Sequence, residues 1–129
     1  MPQLSRFFIR SGMACLVLGL VASVIASVSP AMATIRPTWF HLITVGWLTQ
    51  LIFGVALWMF PRPPTAARRD AWGWFGFWAL NAGLLLRLLA EPLKIFSNRM
   101  GGLLVLSAFL QLGAIIALVA SLWPRVRER

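Results

Sequence analysis

His41 is the only histidine in this 129-residue sequence, and it begins an apolar run of membrane length, HLITVGWLTQLIFGVALWMF. Histidine is the side chain best suited to bind a metal or a haem iron, or to exchange a proton near neutral pH. The single cysteine, Cys15, cannot form an intrachain disulfide and is interpreted as a packed small residue. Any chemistry beyond packing therefore depends on what His41 contacts.

The composition is that of a membrane protein, with 60% hydrophobic and only 12% charged residues, where a soluble domain carries about 25% charged residues. Four apolar stretches are each roughly 20 residues long, enough to cross a bilayer. They predict helices at residues 7–28, 38–60, 71–90 and 101–123. Because proline disrupts a helix interior, Pro92 and Pro124 are predicted to end the last two. The sequence predicts an all-α, four-helix integral membrane bundle, one transmembrane domain over residues 1–129.

Twelve basic residues stand against three acidic ones, and their positions predict an orientation. Lys and Arg near helix ends are in excess on the cytoplasmic side. One side holds eight, Arg6, Arg10, Arg62, Arg68, Arg69, Arg125, Arg127 and Arg129, and the other holds four, Arg36, Arg87, Lys94 and Arg99. This predicts an up-down-up-down bundle in a bacterial inner membrane with both termini cytoplasmic. Attraction to lipid headgroups accounts for the charge without a nucleic acid, although a specific anionic partner of Arg68–Arg69 is an alternative.

The first helix has an alternative interpretation as a cleaved signal peptide. Arg6 and Arg10 precede the apolar stretch, and Ala31-Met32-Ala33 is typical of a signal-peptidase site. The stretch is longer than the usual apolar region of about 7–15 residues. It also carries small residues four apart, which favour close packing of membrane helices: Cys15, Gly19, Ser23 and Ser27. We therefore expect the helix to be retained.

Three amides, Gln50, Asn81 and Gln111, lie near the midpoints of helices two, three and four. At one depth they could satisfy one another, and interhelical polar contacts of this kind stabilise membrane bundles. The alternative is a hydrated path in a small pore or transporter. No carboxylate lies in the middle of any predicted helix, so a proton-coupled transporter would lack its titrating group.

Helix two is predicted to have two distinct faces. At 100° per residue, Gly46, Gln50 and Gly54 share one side, and His41 lies on nearly the opposite side. The two glycines of helix two, with Gly19 of helix one, predict close helix packing. His41 would then face a different neighbour, either another helix, a cofactor or a second subunit.

Several polar or sulfur-bearing residues are predicted at the level of His41. Arg87 and Glu91 are four apart and can form an ion pair. An ordinary interfacial polar layer has this composition. A haem site would have the same composition, with the imidazole binding the iron and the arginines binding the propionates. The residues expected at this level are Arg36, Arg87, Glu91, Asn98, Arg99 and Met100, with Met32 on the adjoining loop.

The stretch His41–Arg62, H-x4-GW-x6-G-x6-PR, resembles the second helix of heme-copper oxidase subunit I and its nitric oxide reductase relatives. It is most similar to small four-helix proteins grouped with that subunit, and Trp74–Leu80 followed by NAGLLL adds to this similarity. The specific part covers about one helix in four. The resemblance implies that His41 binds a low-spin haem and that the protein serves electron transfer in a respiratory chain.

The sequence departs from that family in having no further histidine. Oxygen or nitric oxide reduction by this chain alone is therefore excluded, and no catalytic residue is predicted. A bound haem would take its second axial ligand from Met100 or Met32, or, as we prefer, from His41 of a second copy in a homodimer. Two other functions stay open: a structural or accessory subunit of a respiratory complex without haem, and a small pore or transporter.

Overall fold

The computed structural model describes residues 1–60, 66–93 and 99–127, and these residues form helices and no strands. Within these ranges there are four long helices: α1 (Gln3–Val28), α2 (Arg36–Met59), α3 (Ala66–Leu93) and α4 (Met100–Arg127). Each is long and apolar enough to cross a membrane. The prediction of an all-α bundle of four helices, each long and apolar enough to cross a membrane, is confirmed.

The helix ends extend beyond the predicted ones. α1 begins at Gln3, α3 runs from Ala66 to Leu93, and α4 continues to Arg127. Pro92 and Pro124 lie inside α3 and α4 rather than at their ends. Each proline lies in or near the last turn of its helix. There it removes the N–H donor of one helical hydrogen bond, and the few residues that follow can stay helical. The predicted connection between the first two helices contains a short 3₁₀ helix, Pro30–Ile35.

The second helix is not a uniform α-helix. Arg36–His41 and Gln50–Met59 are α-helical, whereas the eight residues Leu42–Thr49 between them form a π-helix. Within it, the Thr49 hydroxyl donates to the carbonyl of Thr44, five residues earlier, at 2.9 Å. π-helices are rare and usually occupy a single turn, so this segment is an unusual feature of the chain.

The π-helix changes which residues share a face of α2. In an α-helix of 3.6 residues per turn, the nine-residue interval from His41 to Gln50 spans two and a half turns and places them on opposite sides. A π-helix has about 4.4 residues per turn, so the same interval is roughly two turns. Both residues accordingly contact α3, His41 through Arg87 and Gln50 through Asn81. The expectation that His41 faces away from the Gln50 side of the helix is wrong for this reason.

Glycines allow α1 and α2 to approach closely. A Cβ atom on Gly46 would lie 2.8 Å from the Cβ of Cys15, and one on Gly19 would lie 2.8 Å from Cδ1 of Ile43. At the other end of the interface, a Cβ on Gly54 would lie 2.9 Å from Cγ1 of Ile9. All three distances are shorter than real Cβ contacts, so a larger residue at any of these positions requires its neighbours to shift. The shift is easiest at Gly19, where the near atom is the end of the flexible Ile43 side chain.

α3 and α4 also pack closely against each other. The Ser107 hydroxyl donates to the carbonyl of Gly83 at 2.6 Å. A Cβ on Gly76 would meet the Leu118 side chain at 2.6 Å. The core that joins this pair to the others includes Phe8 and Leu80, both fully buried.

The outer surface of the bundle is apolar. Val24, Trp78 and Phe109 are each more than 60% exposed, a surface suited to lipid rather than to water. Charged side chains lie toward the helix ends, where Arg125, only 3% exposed, pairs with Asp70 at 3.6 Å. Several residues named in the charge and haem predictions lie outside the described residues, namely Arg62, Lys94, Asn98 and Arg129, together with the side chains of Arg68, Arg69 and Arg127.

Candidate functional site around His41

His41 is oriented first by its own helix. α2 begins at Arg36 with Pro37 in its first turn, where the missing N–H of proline costs no helical hydrogen bond. The carbonyl of Pro37 is one turn below His41 and accepts a hydrogen bond from its Nδ1 at 2.6 Å. The backbone therefore holds one nitrogen of the ring, and the other faces a neighbouring helix.

Two side chains of α3 complete the contacts of the imidazole. Oε1 of Glu91 lies 3.1 Å from Nδ1 of His41, and Nη1 of Arg87 lies 3.3 Å from Nε2. Arg87 and Glu91 also pair with each other at 3.3 Å. The exposed fraction of the side chain is 7% for Glu91, 19% for Arg87 and 26% for His41. The three side chains form one largely buried cluster, which we call the His41 cluster.

The contacts assign the tautomer of His41. Arginine has only donors, so Nε2 must accept the hydrogen bond from Arg87 and carries a lone pair. The proton is then on Nδ1, where it is shared between the Pro37 carbonyl and the Glu91 carboxylate. The assignment follows from the partners, because hydrogen positions are inferred from the hydrogen-bond network. In this arrangement Nε2 offers its lone pair to an electrophile or a donor.

Some buried polar atoms of the His41 cluster have no hydrogen-bond partner among the described residues. Nε of Arg87 and Oε2 of Glu91 are buried and have no hydrogen-bond partner within the described part of the chain. The same holds for the hydroxyl of Thr38, one turn before His41. Buried polar atoms without a partner are uncommon in folded proteins and call for an explanation such as a water or a ligand.

The remaining residues predicted at this level lie on separate elements. Arg36 is exposed at the start of α2, Arg99 is exposed just before α4, and Met100 is half-buried as the first residue of α4. Met32 is 47% exposed in the 3₁₀ helix. The groups that the structure joins to His41 are those of Pro37, Arg87 and Glu91.

The amides near mid-membrane fall into a pair and a single residue. Gln50 and Asn81 exchange hydrogen bonds of 3.2 and 3.4 Å, and Ser11 of α1 donates to Asn81 at 2.9 Å. Asn81 also donates to the carbonyl of Phe77 at 2.8 Å. Gln111 takes no part in this network, and its Nε2 is buried without a partner among the described residues. Because Gln50 and Asn81 satisfy each other, they offer little to a hydrated path.

Sequence reasoning missed three functional or structural contacts. It paired Glu91 with Arg87 but not with His41, because the π-helical turn that brings His41 to α3 was not foreseen. It also passed over Ser11 and Ser5, whose hydroxyl donates to the carbonyl of Gly54 at 2.6 Å. A serine predicted to face a glycine of the next helix is a signal that could have identified the latter contact.

Among the described residues, no group of three or more His, Cys, Asp or Glu side chains could hold a metal ion. The His41 cluster contains two side chains of these types, His41 and Glu91. A haem could be held by a single histidine of the protein, because the haem itself supplies four nitrogen ligands to its iron.

The described residues thus define a class, a bundle of four helices able to cross a membrane, with the His41 cluster and the Gln50–Asn81 pair between α2 and α3. Comparison of the chain with protein-family models, with curated protein sequences and with solved structures finds no match.

Proposed function

We propose that this protein binds a haem through Nε2 of His41 and carries electrons in a bacterial inner membrane. The observation that carries the proposal is that Nδ1 of His41 is bonded to the Pro37 carbonyl and approached by the Glu91 carboxylate. Proteins orient metal-bound histidines by such hydrogen bonds to the nitrogen that does not bind the metal. The bonds leave the lone pair on Nε2, the atom that would bind iron.

The neighbours of Nε2 fit this role. The contact with Nη1 of Arg87 is long, at 3.3 Å, and iron would replace it. Arg87 would keep its pairing with Glu91, and its unpartnered Nε could donate to a haem propionate. One edge of His41 is accessible, since the side chain is 26% exposed. When bound, the haem supplies one-electron chemistry, and the residues of the chain bind and orient it.

The second axial ligand has two sources in this proposal. His41 of a second copy would complete a bis-histidine site in a homodimer, and Met100 is the alternative within one chain. The excess of basic residues on one side supports an up-down-up-down arrangement with both termini cytoplasmic. In that orientation His41 lies toward the outer face, and the similarity of His41–Arg62 to a respiratory subunit supports electron transfer.

A visible absorption spectrum tests the proposal. The full chain, produced with added haem precursor and purified in mild detergent, is expected to show a Soret band that His41→Ala removes. Gln111→Leu, which changes a residue outside the His41 cluster, is the matched control and should keep the band. A colourless parent protein with an intact helical circular dichroism spectrum, or a band unchanged by His41→Ala, contradicts the proposal.

A second candidate is a structural or accessory subunit without haem. The observation in its favour is that both ring nitrogens already have protein partners, so that His41 joins α2 to α3. This function predicts a colourless protein that co-purifies with larger membrane partners. It also predicts that His41→Gln, which can keep hydrogen bonds to α3, preserves this association while His41→Ala weakens it.

A further inference from the structure

A second polar feature lies away from His41, in a groove between α2, α3 and α4. The groove has a volume of about 330 Å³ and is lined mainly by apolar side chains, among them Val45, Leu80 and Ala108. Two polar residues, Thr49 and Gln111, also line it. Binding sites for small molecules typically have volumes of about 300–1,000 Å³ and combine apolar walls with a few polar groups. This groove has those proportions.

Gln111 is the residue of the groove whose side-chain amide nitrogen lacks a hydrogen-bond partner among the described residues. Its Nε2 is buried and has no hydrogen-bond partner in the part of the chain that the structure describes. The nearby hydroxyl of Thr49 donates within α2, to the carbonyl of Thr44. Leaving an amide unpaired in an apolar environment costs several kcal/mol, and in the hydrocarbon region water is not at hand to pair with it. The groove therefore favours an occupant with a hydrogen-bond acceptor.

The depth of Gln111 restricts what that occupant can be. Gln111 lies near the middle of the membrane-crossing segment Met100–Val126. The middle of a hydrocarbon core of about 30 Å is roughly 15 Å from the headgroups on either side. The ester carbonyls of an ordinary phospholipid stay near those headgroups and do not reach this level. The acceptor must belong to a molecule that dissolves in the bilayer interior.

The size of the groove suits a small molecule. Gln111 and Leu112 both line it, and Leu112 is also 57% exposed. A volume of about 330 Å³ is at the lower end of the range for small-molecule sites. A flat ring can enter the groove and lie against Leu80 and Ala108.

We propose that this groove binds a lipid-soluble quinone, whose ring carbonyl accepts a hydrogen bond from the Gln111 amide. The terminal torsion of glutamine is broad, so a small rotation turns the N–H toward the ring. The packing of Gly83 against the Gln111 stem, where a Cβ would lie 3.0 Å from Cγ, holds the side chain at the groove. The ring occupies the apolar walls, and its isoprenoid tail extends into the lipid between α2 and α4.

The test is a titration of the full chain, isotopically labelled in detergent micelles, with a benzoquinone that carries a short isoprenoid tail. We expect saturable shifts of the Gln111 side-chain amide resonance and of the methyl resonances of Val45 and Ile115, with the Asn81 amide unchanged. Gln111→Leu should weaken binding about fivefold to tenfold, as expected for one hydrogen bond, and Ala108→Trp should abolish it by filling the groove. An analogue with the same tail but a ring without carbonyls is the ligand control. It should bind the parent protein about as weakly as the quinone binds the Gln111→Leu protein.

Two outcomes overturn the proposal. Equal or unsaturable shifts in the parent, Gln111→Leu and Ala108→Trp proteins would mean that the quinone only partitions into the micelle. Shifts of Gln111 that depend on protein concentration without quinone, together with cross-linking of Ala108→Cys between two chains, would mean that a second copy occupies the groove. Circular dichroism of both variants verifies that the helices are intact, so that a loss of binding is not a loss of fold.

Discussion

Nη1 of Arg87 lies 3.3 Å from Nε2 of His41, on the side of the ring opposite the Pro37 carbonyl. This contact makes the imidazole a junction between α2 and α3. A haem iron bound as proposed would compete with Arg87 for the same lone pair. The contact of His41 with α3 and its proposed cofactor binding can therefore be separated by changing its neighbours.

Glu91→Gln tests the electrostatic part of this junction. The carboxylate is 7% exposed and approaches both Arg87 and His41. Removing its charge leaves a largely buried guanidinium without an ionic partner, which should cost about 1–3 kcal/mol. Thermal unfolding in detergent, followed by circular dichroism, measures the change. Arg36→Gln is the control, because that side chain is exposed, and an equal effect of both substitutions would contradict the role of the cluster.

Gly46→Ala tests the close approach of α1 and α2. The new Cβ would lie 2.8 Å from the Cβ of Cys15 and 2.9 Å from its Sγ, so overpacking should destabilise the protein by about 1–3 kcal/mol. The second substitution Cys15→Gly should restore part of the loss by removing the clashing atoms. Gly113→Ala is the matched control, since nothing lies within 4 Å of a Cβ there. Equal unfolding temperatures for Gly46→Ala and Gly113→Ala would show that the interface can adjust.

Asn81→Leu tests the pair of amides between α2 and α3. It removes the acceptor for Ser11 and both hydrogen bonds with Gln50, which should destabilise the protein by about 1–3 kcal/mol. The double variant Gln50→Leu with Asn81→Leu should recover part of this, because neither partner is then left unpaired. Gln111→Leu should leave the unfolding temperature unchanged or raise it. If the double variant is destabilised by as much as Gln50→Leu and Asn81→Leu together, the two amides do not interact.

Deleting Leu48 tests the π-helix. Removal of one residue from Leu42–Thr49 should return the segment to α-helix and turn His41 by roughly 60° relative to Gln50. On a Cys15→Ala background, His41→Cys with Glu91→Cys should be joined by a short bifunctional thiol reagent in the full chain and not after the deletion. Gln50→Cys with Asn81→Cys lies beyond the deletion and should be joined in both proteins. Equal yields for the first pair in both proteins would contradict the role assigned to the π-helix.

Much of the helix packing could be predicted from residue types. Gly19, Gly46 and Gly54 were expected to allow close approach, and all three lie between α1 and α2. Small residues at a spacing of four are a local pattern, so the face that they form can be read directly. The partner of each amide could not be predicted in this way. Gln50, Asn81 and Gln111 have the same chemistry and similar depth, and only the rotation of each helix decides which of them meet.

The sequence by itself determined that the chain forms four helices able to cross a membrane, because length and apolarity are properties of each segment alone. It also determined that His41 is the only histidine available as a ligand. The tertiary structure decided where that ligand points. A π-helix between His41 and Gln50 brings both to α3, and no local pattern distinguishes it from an α-helix. The reason is physical, since the contacts of His41 and Gln50 with α3 join residues far apart in the sequence and exist only once the bundle has assembled.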